Sequence, residues 1–233
     1  MLQSVALESL RLGWREAVRE DHLAHPKATN LFELYYGNKK TLPSDVTDAL
    51  KARIFECLEN FAQSPIAKLI QKTPYARWKP IDSLDFFLLD GMKVWSAPDF
   101  AFTDEHGAFH IIDWKTGIEK KDELRLQLAC YALFSMEKWH VPLEQLQLHG
   151  VFLRDGGRVS DYPIDAELLI SAKDQILTSA QSMKAKLTDV ASNTAMDEEA
   201  FPCTTDEYTC ETCCFREACP QFQQSAIPDV ILE

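Results

Sequence analysis

Apolar residues recur at helical spacing through the first third of the chain. Leu10, Trp14, Ala17 and Val18 form one stripe, and Leu50, Ile54, Leu58 and Phe61 form another. Residues of that period share one face of a helix. Residues 1 to about 73 are therefore predicted to be helical, with Ser44 as an N-cap and Pro43 and Pro65 as punctuation. From Trp78 the pattern changes. Ser83–Phe87 reads as extended, and Gly91, in Leu-Asp-Gly-Met, reads as a hairpin turn. Lys93–Phe102 is predicted as the next strand, Thr103–Gly107 as a polar loop, and Phe109–Lys115 as a strand stopped by Thr116-Gly117.

Helical periodicity returns over Asp122–Trp139, where Leu124, Leu128, Tyr131 and Ala132 share a stripe. Leu146–Leu153 is predicted as a strand ended by Asp155-Gly156-Gly157, and Ala166–Leu187 as a long amphipathic helix. The order is helices, three strands, helix, strand, helix. It predicts an α/β fold with a mixed sheet flanked by helices. The expected division is a helical region over 1–77, a core over 78–190 and a cysteine-bearing segment over 191–233.

Side chains on a strand alternate between its faces, so Ile111, Asp113 and Lys115 point one way and Ile112 and Trp114 the other. If the Thr103–Gly107 loop pairs Phe102 with Ala108, Asp99 lies opposite Ile111 on the face of Asp113. The two aspartates are then diagonal neighbours about 7 to 8 Å apart, able to share one divalent cation. An odd slip would put Asp99 on the wrong face. Hard cations such as Mg²⁺ prefer oxygen ligands. Such a cation polarises a phosphoryl group and lowers the pKa of a bound water. A lysine alongside can orient that water or neutralise developing charge. Asp99 and Asp113 are thus candidate metal ligands and Lys115 a candidate catalytic residue. A lone Asp-x-Lys is more often a surface pair. The Pro98-Asp99 placement and the apolar run before Asp113 shift that balance.

Composition changes the picture in two places. The chain has 233 residues, 46% hydrophobic and 26% charged, which suits a packed core. The net charge of −12 counts against bulk electrostatic binding of nucleic acid and requires a local patch or a basic partner for any such contact. Five of the seven cysteines lie between Cys203 and Cys219. In a reducing compartment such a cluster points to metal rather than disulfides. No apolar run is long enough to span a bilayer and no secretory leader is evident, so the expectation is a cytoplasmic protein without a membrane partner.

Pro98-Asp99, then Ile111-Ile112-Asp113-Trp114-Lys115-Thr116-Gly117, then Gln127-Leu128-Ala129-Cys130-Tyr131 resembles the PD-(D/E)xK nuclease superfamily. The RecB-like branch, which includes the CRISPR-associated adaptation exonucleases, is the most similar. The resemblance covers about Trp78–Trp139 and again Cys210–Pro220. It implies a restriction-endonuclease-like core and a Mg²⁺- or Mn²⁺-dependent DNA nuclease. Asp99, Asp113 and Lys115 would form its centre, completed by Gln127 and Tyr131. These two stand four apart and share a helix face. Partners so implied are DNA and a helicase or another repair, CRISPR or phage protein.

Cys210, Cys213 and Cys219, followed by Pro220, resemble the C-terminal triplet that these nucleases use with a further cysteine to hold a [4Fe–4S] cluster. Cys203 would supply the fourth thiolate. Zinc is the competing reading, because four local cysteines also make a tetrahedral site. Cys214 reads as a spare ligand neighbour and Cys130 as core. The chain departs from the family in its N-terminal part. No cysteine precedes Cys57, and the metal-reaching histidine has only His25, with His22 nearby, as a candidate. Either Cys57 or Cys203 is the fourth ligand, or an N-terminal portion is missing. A catalytically impaired module that binds nucleic acid or a partner protein is therefore the alternative to an enzyme. A zinc-ribbon interaction protein is a third reading, but it leaves the Asp-Trp-Lys strand unexplained.

Overall fold

The computed structural model describes residues 2–31, 42–80, 83–117, 119–213, 215 and 219. They fall into two compact units, Met1–Leu177 and Thr178–Glu233. Among them no helix is long and apolar enough to cross a membrane.

Of the helical expectation for the first 73 residues, Leu2–Val18, Ser44–Gln63 and Pro65–Lys72 are helical, whereas the described residues 19–31 are turns and a short helical turn over Asp21–Leu23; positions 32–41 lie outside the described residues. Helix α1 spans Leu2–Val18. Glu16 accepts a hydrogen bond from Thr29 N at 2.8 Å and so ties the following turn back onto α1. Helix α2 spans Ser44–Gln63, with Pro43 rather than Ser44 in the N-cap position. Ser64 caps helix α3, Pro65–Lys72: its hydroxyl accepts from Ala67 N, and Pro65 sits in the first turn, where a missing N–H costs nothing. Ile66, Ala67 and Ile70 are the buried residues of α3.

The predicted strand Lys93–Phe102 is two strands. β1, Asp85–Leu89, pairs with β2, Met92–Ser96, in a two-stranded sheet of its own. Asp90 and Gly91, both at positive φ, make the tight turn between them. Pro98 then interrupts the extended run, since it has no N–H for a ladder. β3 begins only at Phe100 and runs to Thr103. It opens a four-stranded sheet with β4, Phe109–Lys115, β5, Leu146–Phe152, and β6, Arg158–Tyr162, in the order β3-β4-β5-β6. β4 and β5 are parallel, joined through helix α4, Lys121–Lys138; the flanking pairs are antiparallel. The sheet is mixed and flanked by helices, consistent with a restriction-endonuclease-like fold. β6 was not predicted: Arg158-Val159-Ser160-Asp161-Tyr162 is a largely polar edge strand in which Val159 and Tyr162 are the apolar positions.

Alternation along β4 divides the core. Phe109 and Ile111 face Leu124, Leu128, Ala129 and Ala132 of α4, together with Leu168, Leu169 and Ala172 of helix α5, Ala166–Lys184. Ile112, with Phe100, Phe102 and Val151, packs on Ile66 and Ile70 of α3. The second unit includes β7, Leu187–Asp189, paired with β8, Thr194–Ala195, and the short helix α6, Glu207–Thr212. Leu187, expected at the end of α5, is in β7 instead.

Candidate active site

The β3–β4 register is Phe100↔Ile112, Ala101↔Ile111, Phe102↔His110. It differs by two from the expected pairing of Phe102 with Ala108. The turn is wider, because Asp104 N bonds Ala108 O and the Asp104 carboxylate accepts from His106 N and Ala108 N, each at 2.9 Å. A slip of two preserves the face. Continuing the register one step sets Asp99, in the bend before β3, across from Asp113 rather than Ile111. Asp99 Oδ2 accepts a hydrogen bond from Trp114 N at 2.8 Å, so the carboxylate takes up a backbone donor where the ladder has ended.

Asp113 is 1% exposed, an extreme position for a carboxylate. Lys115 Nζ lies 2.7 Å from its Oδ2. The two form a buried ion pair, with Lys115 as the charged partner of Asp113 Oδ2. Burial raises the Asp113 pKa, Lys115 draws it back, and the charge of Asp99 raises it further. The lysine's aligned hydrogen bond runs to Gln127 Oε1 at 3.0 Å, and Gln127 Nε2 donates to the Tyr131 hydroxyl at 2.8 Å. That sequence fixes the amide orientation and leaves the tyrosine proton to donate onward. Burial raises the Tyr131 pKa; the Gln127 bond opposes this, and the charges of Asp113 and Asp99 add to it. The structure thus brings Asp99, Asp113, Lys115, Gln127 and Tyr131 into one interacting set. Beside it, Lys115, Lys120, Glu123, Gln127 and Phe152 line a pocket of about 170 Å³.

Two supports escaped the sequence reading. Gly150 of β5 is the ladder partner of Asp113. A Cβ there would meet Leu124 Cδ2 at 2.6 Å, so glycine lets α4 approach closely enough for Gln127 to reach Lys115. A glycine inside the apolar run Leu-Gln-Leu-His-Gly-Val-Phe is a signal of such an approach. Glu119, just before α4, accepts from the Tyr162 hydroxyl at 2.6 Å and pairs with Arg158 at 3.0 Å, which anchors the chain between β4 and α4 to β6.

A buried carboxylate with a second carboxylate in electrostatic reach fits a hard divalent cation. Mg²⁺ commonly takes one or two protein carboxylates and keeps several waters. Among the described residues no three His, Cys, Asp or Glu side chains gather as a metal site. His25 is exposed and His22 half-buried near the short helical turn Asp21–Leu23, and neither joins the two aspartates in such a group. Cys57 is buried in α2, where burial pushes its thiol up, and Cys130 in α4 is raised by the same cause. In the second unit Cys203 Sγ and Cys219 Sγ stand 3.6 Å apart, Cys210 Sγ lies 3.8 Å from Thr204 O, and Cys213 Sγ accepts from Phe215 N. Cys214 and Pro220 lie outside the described residues.

Residues 9–220 match the sequence model of the PD-(D/E)XK nuclease superfamily. No curated protein matches the chain. A solved structure described as "Crystal structure of SSO0001" is similar at 16% identity and a TM-score of 0.35, over 92% of this chain and 97% of that one. A likeness at that level carries no argument about function.

Proposed function

The chain belongs to the PD-(D/E)XK nuclease superfamily, and from that premise we propose that it is a metal-dependent deoxyribonuclease of the RecB-like branch, acting on single strands or from ends. The carrying observation is the buried Asp113 carboxylate, ion-paired with Lys115 at 2.7 Å and within electrostatic reach of Asp99. Asp99 and Asp113 are the residues that would hold Mg²⁺ or Mn²⁺. Bound there, the ion supplies Lewis-acid polarisation of the phosphate and a lowered pKa for a water.

The chain's own residues supply position and charge. Lys115, held between Asp113 and Gln127, places its ammonium where negative charge grows on the non-bridging oxygens. Tyr131 keeps Gln127, and through it Lys115, in one orientation. Water adds to phosphorus in line and the bridging P–O bond breaks. One product then carries the phosphate monoester, and the other leaves as an alcohol after taking a proton.

The test is cleavage of end-labelled single- and double-stranded DNA, and of RNA, with Mn²⁺, with Mg²⁺ and with chelator. Metal-dependent hydrolysis of DNA is expected. Activity unaffected by chelator, or confined to RNA, would sink the reading. Absence of cleavage would favour the impaired module, consistent with the net charge of −12.

For Cys203, Cys210, Cys213 and Cys219, the family resemblance supports a [4Fe–4S] cluster. Zinc is the second reading, because four local cysteines also make a tetrahedral site. Brown protein with iron and sulfide decides for the cluster. Colourless anaerobic protein with stoichiometric zinc decides against it.

A further inference from the structure

Trp114 stands between Asp113 and Lys115 in β4 and points to the opposite face of the sheet. There it lines an open cleft of about 500 Å³ whose other walls include Leu50, Ile54 and Phe61 of α2 and Leu153 after β5. The Phe61 ring meets Trp114 edge-on, with centroids 5.1 Å apart. Arg53 is exposed at the rim and lines the same cleft. Arg53 and Arg154 both act on the Cys57 thiol, opposing the effects of its burial and of Glu56.

We propose that this cleft is a nucleobase subsite, which takes one unpaired base of the strand whose phosphate is cut at Asp113 and Lys115. The proposal rests on the nuclease reading above. Three observations favour this occupant. The first is continuity. Trp114 N holds Asp99 in the site while the Trp114 ring walls the cleft, and Thr116, the residue after Lys115, is itself a wall. Thr116 and Gly117 are exposed where β4 ends, so a strand can round that tip from one face to the other.

The second observation is chemistry. Aromatic and aliphatic walls with a guanidinium at the rim are what a base and its phosphate need. In a chain of net charge −12 an arginine so placed supplies local positive charge. The third is size. The cleft falls within the range of small-molecule pockets, about 300 to 1,000 Å³. A base inside a duplex is covered by its stacked neighbours and would have to be unpaired to enter.

The experiment walks a single abasic position along a single-stranded oligonucleotide and measures kcat/KM with Mn²⁺. Wild-type protein is expected to lose about tenfold at one position beside the cut, the scale of one lost base–aromatic stack. Leu50→Trp at the exposed rim fills the cleft. It is expected to lose the same factor on intact DNA and nothing further on the abasic substrate. Arg53→Ala, also exposed, is expected to weaken binding with a shallower salt dependence. Fluorescence anisotropy with Lys115→Ala protein should show the same non-additive pattern in Kd, independent of cleavage.

Normal cleavage with no sensitive position, or losses from Leu50→Trp and the abasic site that multiply, would overturn the subsite alone. Binding with the expected pattern and no cleavage by wild type would keep the subsite and remove the nuclease reading. Neither binding nor cleavage would remove both.

Discussion

Asp113 shows what the site asks of a single residue. Its carboxyl pKa is raised by burial, lowered by Lys115 and raised again by Asp99. An acid with a folded pKa above its unfolded value adds stability below the unfolded pKa, and that contribution is lost as pH rises through the folded one. Above the unfolded pKa the buried Asp113 carboxyl therefore works against folding. Asp113→Asn keeps the shape and removes the charge. It should be more stable than wild type without metal, by about 1 kcal/mol in thermal denaturation. It should also lose the rise in Tm that Mn²⁺ gives wild type. A variant that melts lower, or still responds to Mn²⁺, would contradict this account of the residue. The shared face of Asp113 and Lys115 was legible from the two-residue period, and that of Gln127 and Tyr131 from their i,i+4 spacing. The bond from Trp114 N to Asp99 was not legible, because it depends on where the β3–β4 ladder stops.

At the scale of elements, parity was more legible than register. The β3–β4 pairing is shifted by two, yet Asp99 remains on the right face because side chains repeat every two residues. The split at Pro98 and the polar edge strand β6 were hidden, since pattern alone does not say which extended residues find partners. Gly150 is the element-scale support of the site. Gly150→Ala should destabilise the protein by about 1 to 3 kcal/mol through overpacking against Leu124 and lower kcat as α4 shifts from β5. Unchanged stability and activity would show that α4 yields freely.

On the other face, a polar row joins β4, β5 and β6, buried at His110 and His149 and exposed at Asp161. His110 contacts His149 at 2.9 Å and Asp104 at 3.3 Å, and His149 contacts Asp161 at 2.7 Å. Burial lowers the His149 pKa, Asp161 opposes this, and His110 adds to the lowering. A depressed pKa contributes stability above the unfolded value that is lost as pH falls toward the folded one. Urea midpoints should therefore drop below the ordinary histidine pKa, about 6.5. His149→Gln should flatten that slope. An unchanged slope would locate the acid sensitivity elsewhere.

At the scale of the molecule, an acidic chain carries a nuclease fold. With a net charge of −12, nucleic-acid contact would fall to local groups, such as Lys115 and Lys120 at the site and, on the proposed subsite, Arg53. The mixed α/β architecture was legible in the switch of hydrophobic period at Trp78. The C-terminal cysteines were legible as a cluster, but their spacing alone does not choose between iron–sulfur and zinc.

On the proposed function, Asp113 and Lys115 perform metal-dependent hydrolysis of DNA. The most direct measurement is the single-turnover rate of Mn²⁺-dependent cleavage by wild type, Asp113→Ala and Lys115→Ala, each at saturating protein. Both variants are expected to fall by about a hundredfold or more, the scale of one lost transition-state contact, while Lys115→Ala still binds DNA. Equal rates for all three proteins would contradict the account.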